Sequence, residues 1–559
     1  MRDYSGWITV NGRSLFSRVA LPDDGLLRGA VLVATSFGRE AVPLVGLWRR
    51  MAENLAILGV ATVRVDYSAT GDSSGNLCEP DDVRCWVDDI SEITRWIRSS
   101  GAPRVAAVGM RLGTVVLGEA LRAGAEFDQV VFWDPVPSGR HWIRENRALG
   151  MLHEDSRDAG NPGGVNDEFP FPETLSPVVS AWKTWRHDDE WAPSLVLRRV
   201  ERELSDEVER HWKSRGATVE IAHGQAELLE VDTLELKWPE ESMARVVAHL
   251  TPATSDALPW TWSSFHATVD VREATKVVVE SIHHVGEEGL FLIESRSEDD
   301  QGAFSGTVIF VTDGYHNHWG PARSWVRLSR ILATEGIRCL RFDFSHMIVN
   351  GEPSTDGLRI YVPEWRSNLG DIVNDLHLDR SSVIYVTFCS GAFEGVLSAL
   401  DHGAAALLAI NPPVGLDSFP FVVSLVASRR SPVRWVGYRA RRLMLSARWP
   451  WVWLWMVGKW FIPPSHRRNQ LRTLSERGVN VRVISCDEDR TPLYRHVRWR
   501  RFGTRRVDHP KGYVVRVVEG LDHSMRRVDA RREVLEDVES FVRNVAASWR
   551  ENGTEESVR

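Results

Sequence analysis

At 559 residues the chain is long for one domain, and about two to four domains are expected; its 43% hydrophobic and 26% charged content is that of an ordinary globular protein. A formal net charge of -8 gives no global electrostatic case for nucleic-acid binding. Cysteines at 78, 85, 339, 389 and 486 form no metal-type spacing, which argues against a cysteine metal site and for a reduced, cytoplasmic setting; no cofactor is expected. The opening MRDYSGWITVNGRSLF carries no apolar leader-type core, and no apolar run reaches the length of about 18 residues needed for a spanning helix.

In chain order, the first apolar β-rich runs are Gly29–Thr35 and Val63–Tyr67. They are followed by Gly109-Met-Arg-Leu-Gly113 and by Asp134-Pro135 after another apolar run. The same landmarks return later. Gly29–Thr35 matches Gly306–Thr312, Asp66 matches Asp343, and Asp134-Pro135 matches Asn411-Pro412, each pair 277 residues apart. Arg111 and Cys389 lie 278 apart. One offset held through three landmarks, and within one residue at the fourth, predicts two homologous domains, 1–258 and 263–545, joined near Pro252–Trp262 where Pro, Ser and Thr cluster, with a polar tail at 546–559.

Residues 263–300 read as added antiparallel strands at a sheet edge. Beyond them, short apolar runs at Thr307–Val311, Ile337–Phe342, Val383–Val386, Ala405–Ile410, Val481–Ile484 and Val514–Val518 alternate with amphipathic stretches such as Ser324–Thr334 and Trp365–Leu376. This alternation predicts the α/β class with mainly parallel, doubly wound sheets. Thr387-Phe-Cys-Ser-Gly391, ending a strand and opening a helix, has the layout of a nucleophile elbow with cysteine at its centre. The turn is sharp, so small residues are expected on either side of the nucleophile. The earlier Gly109–Gly113 keeps the layout and places Arg111, which stays protonated and cannot attack a carbonyl, at the centre.

On these motifs the chain resembles α/β-hydrolases of the serine-aminopeptidase-like group, and the exosortase-associated hydrolases in particular. The matching residues are Arg64-Val-Asp-Tyr-Ser-Ala-Thr-Gly-Asp-Ser-Ser-Gly75, Gly109–Gly113, Trp133–Arg140, Gly314-Tyr-His-Asn-His-Trp-Gly-Pro321, Leu340–Ser345, Phe388–Ala392 and Leu521-Asp-His-Ser524. The resemblance covers most of the chain except 425–472 and the tails, and it implies two tandem α/β-hydrolase-like domains.

It also implies the chain order nucleophile, acid, histidine. In the second domain that order selects Cys389, then Asp489 with Asp487 as alternative acid, then His523. A thiol beside an imidazole is an activated nucleophile, and an aspartate would orient the ring. Backbone N–H groups of Ser390 and of Gly314 or Tyr315 would hold the oxyanion. Ser390 is itself the nucleophile if the elbow is shifted by one, which puts bulky Phe388 where a small residue belongs. Two departures from the pattern stand out: Thr387 where the family prefers glycine, and 345–351 without the glycines kept at Gly71–Gly75. His316 and His318 lack a third ligand and read as polar loop residues.

The first domain reads as non-catalytic, since Glu227–Pro239, where a histidine should fall, has none. Two readings of Arg111 are open: an anion site at a helix N-terminus, or pairing with Asp or Glu. An insertion at about 414–478 is expected to form a helical cap. Within it, 425–472 carries eleven Lys or Arg, six Trp and no Asp or Glu. It suits first a lid over an apolar pocket, and second a peripheral contact with an anionic membrane. The expected function is an acyl-directed hydrolase or acyltransferase acting on an ester or thioester, with a small-molecule acyl or lipid-linked substrate. The alternative is a catalytically inactive two-domain binding or scaffold protein.

Overall fold

The computed structural model describes residues 1–77, 80–153, 175–201, 205–230, 236–252, 256–299, 306–345, 347, 365–412, 470–486 and 512–556. The first half contributes β1 Arg2–Val10, β2 Arg13–Leu21, β3 Gly29–Ala34, β4 Val60–Val65, β5 Val105–Arg111, β6 Gln129–Pro135, β7 Leu195–Arg199 and β8 Thr218–Ala222, with the short β9 Phe265–His266. Their order is β9-β1-β2-β4-β3-β5-β6-β7-β8. The second half contributes β10 Thr268–Glu273, β11 Lys276–Val285, β12 Leu290–Ser297, β13 Thr307–Val311, β14 Arg338–Phe342, β15 Val383–Phe388, β16 Ala406–Ile410, β17 Asn480–Ser485 and β18 Val514–Val517. Their order is β10-β11-β12-β14-β13-β15-β16-β17-β18.

The run β1–β8 and the run β11–β18 therefore follow one order. Antiparallel pairing at one edge gives way to parallel pairing from β3 or β13 onward. Both halves have the α/β-hydrolase architecture. Register repeats as well: Ala34 pairs with Gly109 in the first sheet and Val311 with Thr387 in the second, two residues ahead of Arg111 and of Cys389 respectively.

The parallel strands are buried on both faces, which is why they read as continuous apolar runs. Ala30 and Leu32 face Trp86, Ile90 and Ile93 of the helix Pro80–Ser99, while Val31 and Val33 face Leu44, Leu47 and Met51 of the helix Ala41–Ile57. In the second sheet Ile309 and Val311 pack with Trp365, Leu369 and Ile372, and Val308 and Phe310 with Trp325, Leu328 and Val538. Between the sheets, Trp7 and Phe16 of the first hairpin pack on Val269, Val271 and Ile293 of the second sheet.

Three predicted boundaries move. Phe265–His266 still hydrogen-bonds Trp7–Ile8, so the second sheet starts at Thr268 and not at 263. The last helix runs Val528–Glu556, past 545, because Val545, Ala546 and Trp549 continue its apolar face onto the core. The helix Gln470–Glu476 buries Leu471 and Leu474 in the sheet's own core, so 470–478 belongs to the core layer and not to the cap. Residues 413–469, with most of the expected cap, lie outside the described residues. No helix among the described residues is long and apolar enough to cross a membrane.

Candidate active site

In a doubly wound sheet the crevice opens where neighbouring strands carry their connections to opposite sides, here between β13 and β15. Cys389 follows β15 directly and turns the chain with φ 48°, in the left-handed region that side chains other than glycine rarely adopt. Ser390 returns to helical dihedrals and the helix Gly391–His402 begins. The turn is tight enough that a Cβ on Gly391 would lie 2.0 Å from the Thr312 carbonyl oxygen, so glycine is required there. Cys389, and not Ser390, is thus the centre of the elbow.

The Cys389 thiol is half-buried, and its Sγ lies 3.0 Å from His523 Nε2. His523 reaches it from the loop after β18, held by Asn411: the Asn411 Nδ2 donates to the carbonyls of Asp522 at 3.1 Å and His523 at 2.8 Å. Asn411 Oδ1 meanwhile accepts the Cys486 N–H at 2.8 Å, and its own N–H donates to Ile484. One carboxamide so joins the ends of three loops. Sequence reading had singled out Asn411 only as a repeat landmark. The signal was there in the exchange of Asp134 for an uncharged amide at the matching position.

Asp522 turns its carboxylate to the N–H groups of Ser524, Arg526 and Arg527 and so shapes the turn before the last helix. The predicted acids Asp487 and Asp489 lie outside the described residues.

The loop N–H groups expected at an oxyanion are engaged. Gly314 N–H donates to Ser390 Oγ at 3.0 Å, and Tyr315 N–H donates to Asp313 Oδ1 at 3.1 Å. The Gly314 and Tyr315 N–H groups, named above as oxyanion donors, therefore each have an acceptor within the chain. The Asp313-Gly-Tyr-His316 turn is short enough for the Asp313 carboxylate to take up the next N–H groups, and the Ser390 hydroxyl faces the first of them. His316 is likewise held by Asp313, at 3.0 Å from its Nδ1.

The Thr387 departure has a compensation. In the first copy Gly109 lies against Leu117, whose Cδ1 would be 2.8 Å from an added Cβ; in the second, Thr387 Cγ2 fills the space left by Gly395, 2.4 Å from where its Cβ would be. Large and small have changed places, and both elbows close.

At the first elbow Arg111 repeats the strained turn with φ 54°. Its side chain is 1% exposed, with Nε 3.0 Å from Glu40, Nη2 2.7 Å from Glu145, and Asp134 at 3.8 Å. Glu40 also accepts from Ser36 Oγ at 2.6 Å and Trp142 Nε1 at 2.9 Å. Burial opposes charge on Glu40, yet Arg111, Ser36 and Trp142 hold its carboxyl below the usual range. The anion-site expectation for Arg111 is overturned, because three carboxylates already neutralise the guanidinium and leave no uncompensated charge to attract a ligand. Asp134 is shared with Arg199 of β7 at 2.6 Å, so the space of an active site is filled by a buried ion cluster.

No protein-family model matches the chain, and no curated protein matches it. Solved structures do. A CIB-like hydrolase from Thermoplasma acidophilum is 14% identical over 45% of this chain and 99% of its own, with a TM-score of 0.29. An esterase from Pyrococcus furiosus is 16% identical over 49% and 92%, with a TM-score of 0.29. An α/β serine hydrolase without a lid from Xanthomonas campestris is 16% identical over 46% and 98%, with a TM-score of 0.30. At such identities the likeness concerns fold alone.

Proposed function

We propose that the second domain is an acyl-directed hydrolase or acyltransferase for esters or thioesters, and that the first is its non-catalytic partner. The observation that carries the reading is the Cys389 thiol on a strained elbow, 3.0 Å from the His523 imidazole. His523 Nε2 takes the thiol proton, and Sγ attacks the acyl carbonyl. The tetrahedral oxyanion is met by the Ser390 N–H, and by the Gly314 N–H once substrate displaces Ser390 Oγ from it. Collapse expels the alcohol or thiol, protonated by His523, and leaves an acyl-cysteine thioester. Water, or an acceptor hydroxyl or amine, then gives its proton to His523 and releases the acyl group. Asp489, or Asp487, is assigned to orient the ring.

The basic, tryptophan-rich 425–472 is assigned to the acyl or lipid-linked part of the substrate and to contact with an anionic membrane surface. A serine-aminopeptidase-like or exosortase-associated affiliation rests on the motifs alone.

The engaged Gly314 N–H favours one rival, a silent scaffold. Iodoacetamide labelling separates the two. An active site gives rapid alkylation of Cys389 that slows on the order of tenfold or more in His523→Ala, because thiolate fraction sets the rate. An inert Cys389, or one indifferent to His523, supports the scaffold.

A further inference from the structure

A group of buried charges outside the two elbows lies where the halves meet. Asp72, in the glycine-rich loop after β4, is 0% exposed and reaches into the second domain. His318 Nε2 is 2.5 Å from its Oδ2, Trp319 Nε1 donates to the same oxygen at 2.7 Å, and Arg341 meets Oδ1. On the other side of His318, Nδ1 lies 2.9 Å from Asp343, whose Oδ1 accepts the His318 N–H at 2.7 Å. Arg323 donates to the carbonyls of Gly71, Ser73 and Gly75, so the whole first-domain loop is grasped. Glu280 balances Arg330 at 2.8 Å and Arg341 at 2.7 Å, and Arg18 stands 3.5 Å from Asp343.

His318 and Trp319 are in the loop that borders Cys389. From Thr312, whose carbonyl oxygen touches Gly391 of the elbow helix, the chain passes Gly314, bonded to Ser390, and four residues later reaches the Asp72 contact. One end of the loop is therefore fastened to the elbow of its own domain and the other to the partner domain.

Resting on the reading of Cys389 as nucleophile, we propose that Asp72 of the first domain is a positioning residue for the active site of the second. It clamps His318 and Trp319, and so holds the 312–320 loop in register with the elbow. Such a role gives the first domain a reason to keep its glycine-rich loop after losing its nucleophile. Charge on the clamp is secure. Burial alone would lower the His318 pKa, but Asp343 and Asp72 raise it to about 9, so at neutral pH the ring is an imidazolium donating from both nitrogens. Burial opposes the charged form of Asp72, and His318 and Arg341 outweigh it and keep the carboxylate ionised. Asp66, whose Oδ2 accepts the Asp72 N–H, is raised to about 7 by burial and by Asp72.

The test uses the full chain and Asp72→Asn, with amide hydrogen exchange of 312–320 and turnover of a short acyl thioester of N-acetylcysteamine. The clamp predicts faster exchange confined to that loop. It also predicts a kcat lowered on the order of tenfold to a hundredfold, as small misplacements near reacting atoms cost, with KM little changed and alkylation of Cys389 unaffected. Unchanged exchange overturns the clamp. Faster exchange with undiminished kcat overturns the positioning role. A general loss of protection with kcat and alkylation falling together marks Asp72 as merely structural and also overturns it. If wild type turns over no acyl thioester, the reading of Cys389 fails, and exchange alone decides the clamp. Should Asp72→Asn not fold, Trp319→Phe removes one bond to Asp72 while keeping an aromatic, though smaller, ring. A smaller change in the same readouts is expected, and none would overturn the proposal.

Discussion

At Arg111 the chain turns with φ 54° and at Cys389 with φ 48°, and two residues on a glycine lies so close to a carbonyl that any side chain would collide. The backbone problem and its solution are the same in both halves. What was placed on that backbone differs. Cys389 faces an imidazole drawn in by a neutral Asn411, whereas Arg111 faces Glu40, Asp134 and Glu145 and makes a buried ion cluster. The elbow is thus an element of architecture that holds a buried guanidinium as well as a thiol. Strain kept at Arg111 shows that a strained nucleophile position is, by itself, no proof of activity.

If the difference is one of stability against reactivity, substitutions at the two centres should separate cleanly. Arg111→Ala leaves the buried Glu40 without its counter-charge, while Asp134 keeps Arg199, and is expected to destabilise the first half by about 3–5 kcal/mol, the usual cost of removing one partner of a buried pair. Cys389→Ala should shift stability by only about 1 kcal/mol or less. Denaturant unfolding measures both; equal shifts would erase the contrast. A smaller effect tests the exchange of sizes beneath the elbows. Gly395→Leu, which copies the first domain, should cost about 1–3 kcal/mol by colliding with Thr387, and adding Thr387→Gly should recover most of it. Additive losses would mean the two positions do not share one space.

Much of this was legible in the sequence for a simple reason. Strands buried on both faces leave uninterrupted apolar runs, and a duplicated plan repeats them at one offset, so Thr307–Val311 and Val383–Phe388 were read almost to the residue. Cys389 and His523 were readable because the fold dictates their order along the chain. For Arg111 the sequence offered pairing with Asp or Glu as one of two readings but named no partner, since its carboxylates come from the turn Gly38–Glu40, a strand end and a helix that only folding assembles. Thr387 looked like a departure because its counterweight, Gly395, lies about one turn into the next helix. The Asp72–His318 contact joins residues 246 apart, and neither loop alone announces a partner.

The central claim is that one elbow of the pair still carries chemistry, and covalent capture tests it most directly. The full chain would be exposed to a short acyl thioester and its intact and peptide masses measured. The account predicts one added acyl group on Cys389, none in Cys389→Ala, and far slower acylation in His523→Ala. Wild-type chain that stays unmodified, or an adduct on Ser390 or any other residue in place of Cys389, would contradict it.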